Sequence, residues 1–237
     1  MAERIRIQKA IANSGLMSRR AAEEAMVEGR VRLNGKQVIL GDRVDPDVDL
    51  LTLDGAPVPI SPALETHLLY KPVGVISTAD DPLGRPTVID LIETPQRLYP
   101  VGRLDADSEG LILVSNDGEL TNRVTHPRYG ITKRYLAEVT GVPSPGTLRE
   151  VVTGVILDDG PARAQSAMLV QSRPGRSLVE LVMVEGRNRE VRRLMEAVGH
   201  PVSRLVRTAI GPITDSSLRP GQSRRLTAIE IQALLTS

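Results

Sequence analysis

Residues 103–110 place three carboxylates and a glycine in one short stretch. Asp105, Asp107 and Glu109 alternate, and Gly110 follows. Oxygens at every second position are how a calcium loop begins, with ligands at positions 1, 3 and 5, glycine at 6 and a bidentate Glu at 12. Counted from Asp105, position 12 is Asn116, which has no carboxylate. Leu111 to Val114 is a continuous apolar run that suits a buried strand better than a calcium loop. A plain turn is the ordinary product of Asp, Ser and Gly. Chemistry is favoured here by the surroundings. Arg103 stands two residues before Asp105, and the loop leads straight into the apolar run. A loop carried by a core strand holds a catalytic carboxylate firmly. Two neighbouring carboxylates compete for ionisation if both are buried, so one nucleophile is assigned.

Composition narrows the chemistry further. The chain has 237 residues and no cysteine, Phe or Trp. Disulfides, thiolate zinc sites and a cysteine nucleophile are therefore excluded. His67, His126 and His200 are far apart, and no metal or organic cofactor is expected. A site that needs a flat ring must use Tyr70, Tyr99, Tyr129, Tyr135 or a histidine. The first ten residues are charged, without a signal-peptide core, and no run reaches the roughly 18 apolar residues of a membrane span. A cytoplasmic protein without membrane contact is the expectation.

The net charge is only +1, but it is unevenly placed. Residues 1–43 carry nine Lys or Arg against five acids, and residues 187–207 carry six Arg against two Glu. Such patches suit a polyanion.

The elements that must position these groups can be read in turn. Ile7, Ala10 and Ile11 have helical spacing, and Ser18 is an N-cap for a second helix with Ala21, Ala22, Ala25 and Met26 on one face. Val31–Leu33, Asn34-Gly35 and Val38–Leu40 read as a hairpin, and Val48–Leu53 as a further strand. Residues 61–66 read as a linker. Beyond it, His67–Tyr70, Leu111–Val114, Arg134–Val139 and Leu178–Val184 read as strands, the last fully buried, with Val88–Ile92 as one helical turn. In a helix over 188–198, Val191, Leu194, Met195 and Val198 form the inner face. Separate strands and helices without regular βαβ alternation predict an α+β fold.

Two resemblances follow from these residues. Residues 4–60, with the run SRRAAEEAMVEGRVRLNGKQV, resemble an S4 RNA-binding domain. GRLDADSEGLILVSNDGEL (102–120), Lys71-Pro-Val-Gly, Thr132-Lys-Arg-Tyr135-Leu and Val184-Glu-Gly-Arg-Asn-Arg-Glu-Val-Arg-Arg-Leu194 resemble, in order, the motifs of the pseudouridine synthase family of bacterial ribosomal enzymes. The Asn-Arg-Glu wording is nearest to the large-subunit synthase B branch. The resemblance implies an S4 domain over 1–60, a linker over 61–66 and a catalytic domain over 67–237. The catalytic domain is expected to hold a mixed, mainly antiparallel sheet flanked by helices. It also implies isomerisation of uridine to pseudouridine in ribosomal RNA, with 23S rRNA the expected substrate, by a monomer without cofactor. A non-catalytic S4-type assembly or regulatory factor is the alternative.

The resemblance carries roles to individual residues. Asp105 matches the essential aspartate, which attacks C1′ or removes the 2′ proton. Either route needs an ionised carboxylate away from bulk water, and burial alone raises a carboxylate's pKa. A guanidinium neighbour is therefore expected. Arg192, on the flank of the helix's inner face, is the candidate, and Arg187 is the reserve and otherwise a phosphate contact. Tyr135 matches the tyrosine that stacks on the target base and is placed to take the C5 proton. Arg103 fills the space left by the extruded base or binds a phosphate. Asp107 and Glu109 shape the loop or lie exposed. Lys71, Arg187 and Arg189, with Lys9, Arg19, Arg20, Arg30, Arg32 and Lys36 of the S4 region, are the expected RNA contacts.

Overall fold

The computed structural model describes residues 4–60 and 63–236. The chain forms two compact units. One holds the described residues through Glu65 together with Thr94–Leu98 and Asn116–Gly118. The other holds Thr66–Glu93, Tyr99–Ser115 and everything from Glu119 onward. Ser61 and Pro62 of the expected linker lie outside the described residues, and Thr66 already begins a strand.

In the smaller unit, helices Ile7–Asn13 and Arg19–Val27 bury Ile7, Ala10 and Ile11 and Ala22, Ala25 and Met26. The Ser18 hydroxyl accepts the Ala21 N–H and caps the second helix. A four-stranded antiparallel sheet runs in the order Lys36–Gln37, Val31–Leu33, Leu51–Leu53, Ala56–Pro57. Val31, Val38, Val44 and Leu51 complete the core against the helices.

Two strand expectations need correction here. Asn34 and Gly35 both take left-handed backbone, φ 51° and 79°. This two-residue turn pairs Leu33 directly with Lys36, so the return strand is Lys36–Gln37 and not Val38–Leu40. The Asp42 carboxylate then accepts the Ile39 N–H and turns the chain away, leaving Ile39 and Leu40 exposed. Val48 is also exposed, because the Asp49 carboxylate accepts both the Asp45 N–H and the Asn34 amide and closes a turn over 45–49. The strand there is only Leu51–Leu53.

The larger unit is built on an eight-stranded sheet. Its order is Ser166–Arg173, Arg176–Met183, Lys133–Thr140, Val202–Ile210, Glu109–Ser115, Thr66–Lys71, Ser223–Arg225, with Tyr99–Val101 also paired to Glu109–Ser115. The pairing of Val202–Ile210 with Glu109–Ser115 is parallel and the rest are antiparallel. With helices such as Pro145–Thr153 and Glu190–Ala197, this is a mixed α/β architecture with a mainly antiparallel sheet, of the α+β kind.

Glu109–Ser115 is buried at every residue, as its unbroken apolar run predicts. Arg176–Met183 instead alternates: Ser177, Val179, Leu181 and Met183 are buried while the residues between them are more open. The expected full burial of this strand is corrected, since only one face of the antiparallel pairing is covered. Val88–Ile92 is a hydrogen-bonded turn rather than a helical one. Asp90 accepts both the N–H and hydroxyl of Thr87, and the Ile92 N–H reaches Ile89.

Gly110 has a specific reason to be glycine. It pairs with Arg207 across the parallel contact, and a Cβ there would lie 2.3 Å from the Arg207 carbonyl oxygen and 2.6 Å from its nitrogen. The glycine that suggested a metal loop is therefore what lets two strands approach.

Candidate active site

Asp105 lies on the loop between strands Tyr99–Val101 and Glu109–Ser115, and several groups hold that loop from below. The Ser77 hydroxyl donates to the Leu104 carbonyl and accepts the Leu104 N–H. The Gly74 N–H donates to Ala106 O at 2.7 Å, and the Ser108 N–H to Asp105 O at 3.0 Å.

Two buried cations complete the mount. Lys71 is fully buried, and its ammonium donates to the carbonyls of Ser108 (2.7 Å) and Pro72 (3.0 Å). Burial pushes its pKa down to about 8, against the opposing charges of Asp105 and Asp107. Arg192 is 9% exposed and donates to the carbonyls of Asp107 (2.9 Å) and Val202 (3.0 Å), with Ser108 Oγ at 3.4 Å.

These contacts correct several expectations. Lys71 is buried away from solvent, so it supports the loop instead of meeting RNA. Arg192 is buried as expected but serves Asp107: beyond the backbone bond, its Nε lies 3.5 Å from the Asp107 carboxylate. The guanidinium recorded beside Asp105 is that of Arg189, at 3.9 Å. Arg189 also makes a forked pair with Asp107, at 3.1 and 2.9 Å, so it is a carboxylate clamp before it is a phosphate contact. That clamp holds the Asp107 carboxyl below its usual pKa. Arg189 reaches both acids from a left-handed backbone, φ 48°, immediately before helix Glu190–Ala197.

Arg187 is likewise committed. Its Nε lies 2.9 Å from Glu185, its Nη1 lies 3.4 Å from Asp159, and it also donates to the Pro161 carbonyl. With Glu190 at 3.5 Å, three carboxylates already answer its charge, which weakens it as a phosphate contact. Glu109 is neither loop nor exposed: it is buried at the start of its strand and takes the Arg204 guanidinium at 2.6 Å.

Asp105 is left facing a cavity of about 180 Å³ lined by Arg103, Tyr135, Arg187, Asn188 and Arg189 among others. Its side chain keeps 27% of its exposure, whereas Asp107 keeps 48%. Tyr135 is 8% exposed, on the covered face of strand Lys133–Thr140. A second cavity of about 360 Å³ shares Arg103, Tyr135 and Arg187 and adds Lys133 and Arg207. The structure thus brings Asp105, Tyr135, Arg103, Arg187 and Arg189 to one place, with Arg192 and Lys71 beneath. A carboxylate, an aromatic ring and guanidiniums around a small cavity suit attack on, or proton removal from, a sugar carrying a flat base.

Arg207 escaped assignment in the sequence. It is 4% exposed, and its guanidinium donates to Leu111 O at 2.6 Å, to Arg103 O at 3.4 Å and to the Tyr135 hydroxyl at 3.5 Å. The signal was available: Leu205, Arg207 and Ala209 alternate on one strand face, and all three are buried.

The S4-region cations divide in two. Arg30 forms a forked pair with Asp54, at 2.8 and 2.7 Å, and a third contact with Glu28 at 3.1 Å. Arg32 donates to the Gly35 carbonyl. Arg30 is thus corrected from open phosphate contact to an internally paired residue. Lys9, Arg19, Arg20 and Lys36 pair with no carboxylate among the described residues, and all but the half-buried Lys9 are exposed.

Comparison with known proteins gives a consistent result. The family model for RNA pseudouridylate synthase matches residues 65–197, and the S4 domain model matches residues 5–50. An RNA pseudouridine synthase of Mycobacterium leprae (strain TN) is 47% identical, over 97% of this chain and 92% of its own. The ribosomal large subunit pseudouridine synthase B of Bacillus subtilis (strain 168) is 43% identical, over 97% of this chain and 95% of its own. A crystal structure of a pseudouridylate synthase superposes with a TM-score of 0.68 at 29% identity, covering 97% of this chain and 99% of that one.

Proposed function

The chain belongs to the RNA pseudouridylate synthase family, and from that premise we propose that it isomerises a uridine of large-subunit (23S) ribosomal RNA, with Asp105 as the reacting carboxylate. The observation that carries the assignment is the division of labour in the loop. Asp107 is spent on Arg189 and Arg192, whereas Asp105 faces the cavity opposite Tyr135.

In this reading the target nucleotide leaves the stack, at a cost of a few kcal/mol that the pocket must return. Tyr135 supplies the face on which uracil rests. Asp105 attacks C1′ or takes the 2′ proton, the N1–C1′ bond breaks, uracil turns, and C5 bonds to C1′. Arg103 lines both cavities and fills the place of the extruded base or holds a neighbouring phosphate. Residues 1–60 act as the RNA-binding domain through Lys9, Arg19, Arg20 and Lys36, and the residues from Thr66 onward as the catalytic domain. The protein works as a monomer in the cytoplasm on the RNA or its assembly intermediate. The large-subunit target rests on similarity to synthase B proteins.

Pseudouridine mapping of ribosomal RNA tests this reading, using a strain that lacks the protein. One pseudouridine should vanish from the large-subunit RNA, return with the wild-type chain, and stay absent with Asp105→Asn. An unchanged map, or restoration by Asp105→Asn, would reject it.

A further inference from the structure

Arg207 combines three features that the reaction outlined above does not use. It is buried, it lines the cavity beside Tyr135, and it makes no ion pair with a carboxylate among the described residues. Its hydrogen bonds go to two backbone carbonyls and the Tyr135 hydroxyl, and its Nη2 has no hydrogen-bond partner among the described residues. A buried charge normally has a counter-ion, because removing an ion from water is expensive. Lys133 lines the same cavity and, among the described residues, donates to the carbonyls of Val124 and Ile131. Its pKa is pushed down to about 8 by burial and by the Arg207 charge. This end of the site is therefore rich in cations, and the carboxylate that lines it, Glu185, is exposed and already paired with Arg187 at 2.9 Å.

The chemistry supplies an anion at that place. When the C1′–N1 bond breaks, its electron pair leaves with N1 and spreads over O2 and O4 of uracil. If Asp105 attacks C1′, its carboxylate charge is consumed in the new C–O bond. If it removes the 2′ proton, the charge is consumed in the new O–H bond. By either route one negative charge leaves Asp105 and appears on the base. When C5 bonds to C1′, the Asp105–C1′ ester bond breaks on the first route, and on the second Asp105 returns its proton to C2′, so the carboxylate is restored. The C5 proton is then lost, N1 gains one, and the account of charge closes.

We propose that Arg207 is a positioning residue that fixes the Tyr135 hydroxyl against the base and stabilises the uracil anion as it leaves. This rests on the reading of Asp105 as the reacting carboxylate and adds where the charge goes. A preorganised charge in a site poor in water acts most where charge develops in the transition state.

The experiment compares large-subunit rRNA transcripts made with uridine or with 5-fluorouridine, in single turnover with the full-length protein. Loss of the target N-nucleoside is followed by nuclease digestion and chromatography. Fluorine stabilises the departing anion by itself, so a missing cation should matter less. Arg207→Met should slow the uridine reaction by about 10²-fold, in the range seen for removal of one transition-state donor. The ratio of 5-fluorouridine to uridine rates should rise at least tenfold, as an order-of-magnitude expectation from the same effect. Arg207→Lys keeps the charge and should hold the wild-type ratio even if both rates fall.

Arg207→Gln is neutral and keeps a donor for Leu111 O, so it serves if the Met variant melts below the assay temperature. An unchanged ratio in the neutral variants, or a ratio in Arg207→Lys that rises as far as theirs, would overturn the proposal. Asp105→Asn separates the two ideas. Cleavage of either transcript by that variant defeats the Asp105 reading, whereas the Arg207 ratio is read in enzymes that retain Asp105.

Discussion

The two units use their cations in opposite ways. In the smaller one, Arg19, Arg20 and Lys36 stand exposed on the start of a helix and on a short hairpin, and among the described residues their side chains form no ion pair with a carboxylate. In the larger one, Lys71, Arg192 and Arg207 are buried, and between them they hold the carbonyls of Pro72, Asp107, Ser108, Val202, Leu111 and Arg103. Exposed cations suit a phosphate backbone, to which they contribute a salt-dependent attraction without fixed geometry. Buried cations fix geometry, and their removal leaves polar groups without partners. The difference teaches that charge surplus in a sequence window does not by itself identify RNA contacts. The arginine-rich window 187–207 is largely internal wiring.

The sharpest break of this contrast is Arg192→Met. It leaves the Asp107 and Val202 carbonyls without their donor, and each such loss costs about 1–3 kcal/mol. Urea denaturation should show a loss of about 3 kcal/mol, and turnover should fall as the Asp105 loop loosens. A loss within about 0.5 kcal/mol, the range of ordinary surface substitutions, would place Arg192 with the surface cations.

Lys71 gives the next effect, through pH. Its ammonium titrates near 8 in the folded chain against 10.5 in its ordinary state. Between those values the unfolded chain holds the extra proton, so raising pH favours the folded form. The stability of the wild type relative to Lys71→Met should therefore rise by roughly 1–3 kcal/mol from pH 8 to pH 10.5, with no pH dependence from this group below about pH 7. A flat difference across that window would mean that the ammonium is solvated.

Smaller effects are expected at the exposed end. Arg19→Ala or Arg20→Ala should each reduce the slope of log affinity against log salt for single-stranded RNA by about 0.7 per phosphate contact, leaving turnover of bound RNA unchanged. Arg30→Ala should leave the slope almost unchanged, because Asp54 and Glu28 already hold that guanidinium. A full unit of slope lost at Arg30 would show that RNA displaces the pair.

Much of this was legible in the sequence. Helical spacing placed Ile7, Ala10 and Ile11 and Val191, Leu194 and Met195 in cores, and the run from Leu111 to Val114 marked the central strand. Local rules failed where side chains bond the backbone and override the apolar pattern, and where a site's partners are far apart in the chain. Asp42 and Asp49 end or delay strands that the apolar pattern would extend. The loop's partners come from far along the chain: Arg189 reaches back 82 residues to Asp107, and Arg207 reaches back 104 to Arg103. No spacing rule reports such distances. Gly110 was visible as a glycine, but its cause, the backbone of Arg207 on a parallel strand, was not.

Tritium release from RNA carrying 5-tritiated uridine tests the central claim most directly, with Asp105→Asn and Asp107→Asn assayed beside the wild type. The account predicts no release above background from Asp105→Asn while RNA binding persists, and reduced but measurable release from Asp107→Asn, whose side chain shapes the loop. Release from Asp105→Asn at the wild-type rate would contradict it.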